Sequence, residues 1–285
     1  MNTGILYALL AMAAFGLSDV FSKALIHQFS RQLIIVARGA LMIPVLIILA
    51  RNSFPASVSQ LLLFTVMLSI AGFFPFYFYL NAVKKGHLSI VAPIAKSAVI
   101  ITVLLSLLFL NERLNTFQAL VICGVILGVV LLSMNIRSLF ALRWKETYAG
   151  VLPALGAAGM WGVIYFAWKF PVQAYGPWFS AFMIETGVVA AAVTLMRKKD
   201  ITVLRKIDLK LFGIILACAM TTLLGTVGYM KAIYIAPLSL VMPIVTATPV
   251  VSTLVAVTYF KERLSAVQWL GGILVVGGIA LLFVV

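Results

Sequence analysis

The sequence predicts an all-α polytopic membrane protein whose ten transmembrane helices form two inverted five-helix repeats. Three observations support this prediction. Hydrophobic residues make up 64% of the 285 positions and charged residues only 10%, whereas about a quarter of an average globular sequence is charged. The chain also divides into ten apolar runs, each close to the ~20 residues that cross a bilayer. Finally, the two halves resemble each other at nearly constant offsets.

The predicted spans are bounded by short stretches that contain charges, prolines or polar residues. We number them 1 to 10 and place them at residues 4–24, 32–50, 60–82, 88–110, 115–134, 148–169, 178–196, 211–233, 238–260 and 266–285. Their apolar runs are continuous, which indicates helices and not the alternating strands of a transmembrane barrel.

The second half of the chain repeats motifs of the first. A shift of 150 residues places HLSIVAPI (87–94) over PLSLVMPI (237–244) and NERLNTFQ (111–118) over KERLSAVQ (261–268). Composition alone would not place Glu-Arg-Leu and Gln at one fixed offset, so the chain contains an internal duplication. We place the two repeats at 1–137 and 138–285.

The number of spans in each repeat fixes their relative orientation. Five is odd, so the second copy must enter the membrane from the opposite side. Inverted repeats of this kind build many secondary transporters, whose binding site lies near the midplane between the repeats. The duplication therefore favours a transporter.

Three pairs of motifs together resemble a known family. They are Glu112-Arg113-Leu114 with Glu262-Arg263-Leu264, Phe15-Gly16 with Trp161-Gly162, and Pro93 with Pro243. In this arrangement the chain resembles the drug/metabolite transporter superfamily, specifically its EamA-type ten-helix members, over essentially its whole length. The resemblance implies a 5+5 inverted bundle that moves small metabolites, commonly amino acids, nucleotide-related compounds or drugs. It does not identify the substrate.

The function expected from these features is that of a secondary active transporter, either an exporter or an exchanger. It would move small organic metabolites, amino-acid-like or anionic, by alternating access, without enzymatic activity, cofactor or metal. One alternative is a multidrug exporter of cationic compounds, which needs a carboxylate exposed in the cavity. An alternative of another class is a membrane-embedded enzyme acting on lipids, which needs clustered His, Asp or Ser, whereas the sequence has only His27 and His87.

Lys96 is the leading candidate for substrate binding. A charge at mid-depth costs about 2.5–3.5 kcal/mol on insertion scales, so it requires a partner or a wet cavity. Pro93 precedes it and is expected to kink span 4, and the repeat mate of Lys96 is Thr246. The predicted substrate-binding residues are Lys96, Arg38, Trp161, Tyr79, Thr246, Thr248 and Ser252. The opposing interpretation is a lysine neutralised by Asp19 or Glu185.

Two clusters of charged residues are predicted for gating or ion coupling. Asp19 and Lys23 are four residues apart on one helix and could pair, and Arg38 lies at similar depth on span 2. Lys169 is the repeat mate of Lys23, and Glu185 lies close to the mate of Arg38, so inversion predicts a second cluster towards the opposite side. Permanent salt bridges between helices are the alternative. We interpret Glu112 and Glu262, beside arginines at span ends, as structural.

The expected partners are a small-molecule substrate and the lipid bilayer. The net charge of +14 is assigned to lipid headgroups and not to nucleic acid, because the basic residues lie mostly in short connections. Glycines of spans 5 and 10, among them Gly124 and Gly128, indicate close helix packing or a homodimer. We expect the cytoplasmic (inner) membrane of a bacterium.

The orientation of the termini is left open. Most Lys and Arg residues lie in the odd-numbered connections, and the even-numbered ones hold only Arg51 and Arg113. The positive-inside rule would therefore place both termini outside. The family resemblance implies cytoplasmic termini.

Overall fold

The computed structural model describes residues 2–25, 28–85, 88–133, 144–197, 200, 207–259, 261 and 264–284. Within these ranges the secondary structure is helical, without strands, and ten helices are long and apolar enough to cross a membrane. Six spans are single helices: Asn2–Leu25, Arg31–Ala50, Thr116–Ser133, Trp144–Ala167, Leu209–Ile235 and Ala266–Val284. Four are divided: span 3 (Gln60–Ala71, Phe73–Lys85), span 4 (Leu88–Lys96, Ala98–Phe109), span 7 (Lys169–Thr194, interrupted at Gly176) and span 9 (Leu238–Val245, Pro249–Thr258).

The ten predicted spans are confirmed, with one notable difference at span 7. The helix begins at Lys169, whereas the sequence predicts a start at 178. Gly176 has φ 80° and ψ 169° and interrupts the helix, so residues 169–175 form a short helix before the main one. Pro177 follows directly, and proline suits the first turn of a helix because its missing N–H has no partner there. The predicted connection is therefore mostly helical.

The order of the spans defines two sides of the molecule. We call side A the face at which span 1 begins at Asn2, and side B the face at which it ends at Leu25. Odd-numbered spans run from A to B and even-numbered spans from B to A. Span 6 therefore runs opposite to span 1, as inverted repeats require. The boundary predicted between the repeats, at 137/138, lies outside the described residues.

Contacts between spans follow the same two-fold relationship. A Cβ added to Gly16 on span 1 would overlap Val251 of span 9, and one added to Gly162 on span 6 would overlap Ile101 of span 4. Gly162 follows Gly16 by 146 residues, the offset between the Phe15-Gly16 and Trp161-Gly162 motifs, and Val251 follows Ile101 by 150 residues. The fold thus repeats its close contacts as well as its helices.

Spans 5 and 10 pack against each other through glycines. A Cβ added to Gly128 would lie 2.8 Å from the side chain of Val275, and one added to Gly278 would lie 2.5 Å from Val125. Gly278 and Val275 each lie 150 residues after Gly128 and Val125, so the two contacts are repeat mates of each other. The predicted packing role of these glycines is realised within one chain. The homodimer stays a prediction.

Two glycines one turn apart on span 5 provide a matched test of this packing. We expect Gly128→Ala to lower the free energy of unfolding by about 1–3 kcal/mol, because its new methyl group would press on the carbonyl of Gly271, 2.8 Å away. Gly124 has nothing within 4 Å of its would-be Cβ, so Gly124→Ala should raise stability by up to about 1 kcal/mol through helix propensity. Thermal unfolding in detergent measures both. Equal effects would show that spans 5 and 10 do not pack as described.

Candidate functional site

Spans 4 and 9 are both interrupted near mid-depth. In span 9, residues 246–248 form turns between two helices, and Pro249 has no N–H to donate to the carbonyl four residues earlier, so the helix restarts with proline at its first position. In span 4 the break is at Ser97, whose hydroxyl donates to the Ile94 carbonyl at 2.6 Å and competes with the backbone for it. Discontinuous helices at this depth are typical of transporter binding sites.

The two interruptions meet through Lys96. Its ammonium donates a hydrogen bond to the Thr248 hydroxyl at 3.0 Å, and the side chain is half-buried. Across the described ranges, no carboxylate lies within 4 Å of this ammonium, since the single ion pair found there joins Arg38 and Glu185. Lys96 therefore contacts a neutral oxygen and keeps further N–H donors for another partner.

Asp19 lies in the interior and is nevertheless accessible. Its carboxylate is within electrostatic range of Lys96, Arg38 and Tyr165, which stand on spans 4, 2 and 6. More than a third of the residue's surface is exposed. Asp19 is thus exposed, while charged groups of spans 2 and 4 lie within electrostatic range of it. We call the region around Asp19 and Lys96 the accessible space.

Arg38 belongs to a buried polar layer beside this space. Its guanidinium lies 3.9 Å from a Glu185 oxygen and donates to the Thr222 hydroxyl at 3.3 Å. Glu185 is 6% exposed and accepts a 2.6 Å hydrogen bond from Thr226. The Thr222 hydroxyl is 2.6 Å from that of Ser18, so the layer joins spans 1, 2, 7 and 8.

This layer corrects the prediction of two separate charged clusters. Arg38 and Glu185 were assigned to opposite sides, but they contact each other. Both residues lie near mid-depth, and matching positions of inverted repeats approach each other there because the repeat axis passes through the centre. Lys23 is exposed and, within the described ranges, forms no ion pair with Asp19.

Lys169 also departs from its predicted cluster. Its ammonium donates to the carbonyls of Ile233 at 2.6 Å and Ala236 at 3.1 Å, where span 8 ends on side A. It lies within electrostatic range of Glu112. Glu185 comes sixteen residues later on span 7, roughly 24 Å along a helix, which is too far to join Lys169.

The remaining predicted residues form contacts with their own neighbours. Tyr79 and Trp161 stack at a tilt with ring centroids 5.6 Å apart. Thr246 is buried and donates to the Met242 carbonyl at 2.8 Å, and Ser252 donates to the Pro249 carbonyl at 3.2 Å. Because both hydroxyls already donate their proton to a backbone carbonyl, they can only accept a hydrogen bond from a substrate.

Two features were missed from the sequence. Tyr229 donates to the Tyr165 carbonyl at 3.1 Å and packs edge-on against its ring, and Tyr165 lies within electrostatic range of Asp19. Glu112, interpreted as a structural residue at a span end, accepts from the backbone N–H groups of Leu238 and Ser239. The second feature had a signal, because Leu-Ser and Glu-Arg recur together in both repeats. Glu262, Arg263, His27 and His87 lie outside the described residues.

Comparisons with known proteins fit this architecture. The model of the EamA-like transporter family matches residues 2–134 and again residues 148–284. An uncharacterized protein of Methanocaldococcus jannaschii is 28% identical over 136 residues, which are 47% of this chain and 99% of that relative. A protein of known crystal structure superposes with a TM-score of 0.77 at 18% identity, covering 97% of this chain and 95% of the other. The last match concerns the fold alone.

Proposed function

The chain belongs to the EamA-like transporter family, and from that premise we propose that it is a secondary active transporter and not an enzyme. It moves small amino-acid-like or anionic metabolites across the membrane by alternating access, as an exporter or exchanger. The observation that carries the proposal is the meeting of two mid-depth helix breaks at the Lys96–Thr248 hydrogen bond. Inverted repeats with broken helices bind their substrates at such a point.

The charges around the space favour a negatively charged substrate group. Lys96 has no carboxylate within 4 Å in the described parts of the chain, so its charge is available to a ligand. A substrate carboxylate there would gain charge-assisted hydrogen bonds from the ammonium. Asp19 would accept the ammonium of an amino-acid-like substrate. Tyr79 and Trp161 would provide apolar contact for its remainder.

A second candidate function has one observation in its favour. An exporter of cationic compounds needs an accessible carboxylate in its cavity, and Asp19 is an exposed residue. Against it stand two positive groups within electrostatic range, those of Lys96 and Arg38. The Glu185 carboxylate neutralises Arg38 but not Lys96. A cationic substrate would therefore be repelled by the Lys96 ammonium.

A metabolite screen with the purified protein in liposomes tests the proposal. Liposomes preloaded with one compound and given the same compound in labelled form outside should accumulate the label by exchange. We expect exchange for one or more anionic or amino-acid-like metabolites, and none with protein-free liposomes. Exchange confined to cationic compounds would establish the second candidate instead.

The membrane and the assembly are part of the same proposal. We place the protein in the cytoplasmic membrane of a bacterium, where basic connections meet anionic headgroups, and we retain the homodimer as its assembly. Membrane fractionation of cells that express the chain tests the first statement. Mass measurement in detergent tests the second, and a single-chain mass would remove the homodimer.

A further inference from the structure

The turn between spans 8 and 9, on side A, is held by a residue from the other repeat. Glu112, in the connection between spans 4 and 5, accepts hydrogen bonds from the backbone N–H of Leu238 at 2.7 Å and of Ser239 at 2.8 Å, one on each carboxylate oxygen. These N–H groups begin span 9 and have no partner within their own helix. A carboxylate there is favoured by charge-assisted hydrogen bonding and by the helix dipole.

The first half of the same turn, at the end of span 8, is held by Lys169. Its ammonium binds the carbonyls of Ile233 and Ala236 at the end of span 8, and Gln173 donates to the Tyr234 carbonyl at 2.9 Å. Lys169 and Glu112 attract each other across the turn. Side chains from the connection between spans 4 and 5 and from the start of span 7 thus hold this turn from both ends.

This closure is linked mechanically to the binding region. The first helix of span 9, Leu238–Val245, is buried along its whole length. Glu112 binds the first residues of this helix. The helix ends at the break in span 9, which contains Thr248, the hydrogen-bond acceptor of Lys96. A buried, closely packed helix moves as a unit. A displacement of the helix start at Leu238 is therefore transmitted to the break that contains Thr248, and the reverse.

The matching helix of the first repeat is less enclosed. Met242 and Ile244 are fully buried, whereas their mates Ala92 and Ile94 on span 4 are partly exposed. The first half of span 4 lies on side B. In inverted repeats such an asymmetry distinguishes the closed side from the open side. Side A is therefore the more enclosed of the two sides at these helices, and we take it as the closed side.

We propose that Glu112 is the latch of the side-A gate, a positioning residue that holds span 9 in the closed arrangement and releases it when side A opens. The proposal rests on the proposed function, since a latch has a role only in alternating access.

The test measures which side of the membrane reaches the break in span 4. Ser97→Cys serves as the reporter after Cys123 and Cys218 are replaced by alanine, and a membrane-impermeant maleimide is applied to proteoliposomes from one side at a time. For Glu112→Ala we expect the ratio of side-A to side-B labelling to rise at least about tenfold, the equivalent of losing hydrogen bonds to a charged group. Glu112→Gln, which keeps one acceptor oxygen, should give an intermediate ratio.

Asp208 supplies the matched control. Its carboxylate also caps a helix, accepting from the Leu211 N–H at 2.7 Å, but at the side-B start of span 8 and not in the turn. Asp208→Ala should leave the labelling ratio unchanged. An unchanged ratio in Glu112→Ala and Glu112→Gln, or an equal shift in Asp208→Ala, would overturn the latch. The labelling experiment needs no substrate. If the metabolite screen finds no transported compound, the proposed function is refuted, but the labelling result can still be interpreted.

Discussion

Lys96→Met removes transport while the protein still folds and inserts. We expect kcat/KM for an anionic substrate to fall at least about 100-fold, because losing one partner of a buried charge pair costs about 2–5 kcal/mol and each 1.4 kcal/mol is tenfold. Folding should be unaffected, since the Lys96 ammonium donates to one neutral hydroxyl, that of Thr248, and methionine is about as long and is apolar. Uptake into proteoliposomes measures the effect, with yield from detergent extraction as the folding control.

Lys231 provides the comparison that makes this result specific. It is also an intramembrane lysine, but its ammonium lies over the rings of Trp178 at 4.3 Å and Tyr7 at 5.1 Å, away from the break in span 9. Lys231→Met should leave kcat/KM within a few-fold of the unaltered protein. Lys96→Arg should retain part of the activity because it keeps the charge. Unchanged kinetics in Lys96→Met would remove Lys96 from the site.

Glu185→Ala is expected to have the largest effect on stability. It leaves Arg38 without the carboxylate 3.9 Å away and Thr226 without its 2.6 Å acceptor. Removing one partner of a buried pair is strongly destabilising, here by about 3 kcal/mol, because an uncompensated charge remains. Thermal unfolding in detergent and the fraction extracted in folded form measure the loss.

The double variant Arg38→Met/Glu185→Met separates structure from function. Replacing a buried ion pair by apolar residues is often neutral or stabilising, so we expect it to recover most of the stability lost in Glu185→Ala. If the stable double variant exchanges no substrate, the pair acts in gating or ion coupling. A double variant as unstable as the single one would show that the 3.9 Å contact is not an energetic pair.

The spans could be predicted from sequence because apolar runs set length and depth directly. The inverted topology followed from the odd number of spans in each repeat. The kink expected in span 4 from Pro93 is found as a break at Ser97, four residues later, whereas the break in span 9 was not predicted. The helix at 169–175 could not be predicted, because the interruption there depends on the conformation of Gly176 and not on hydropathy.

The charged contacts were harder to predict. Counting from span ends gave the depth of Arg38 and Glu185 but not the direction in which each side chain faces, so their mutual contact was missed. Lys169 was placed with Glu185 for the same reason. The partners of Glu112 lie 126 and 127 residues away, and such a distance depends on how the repeats meet. The paired recurrence of Leu-Ser and Glu-Arg was the available signal.

The most direct measurement uses Ser97→Cys, next to Lys96, in proteoliposomes with an impermeant maleimide. A substrate space between two inverted repeats predicts rapid labelling from side B and protection by an anionic compound that the protein exchanges, and no protection by compounds it does not. Labelling by lipid-soluble reagents alone, or labelling that a transported substrate leaves unchanged, would contradict it.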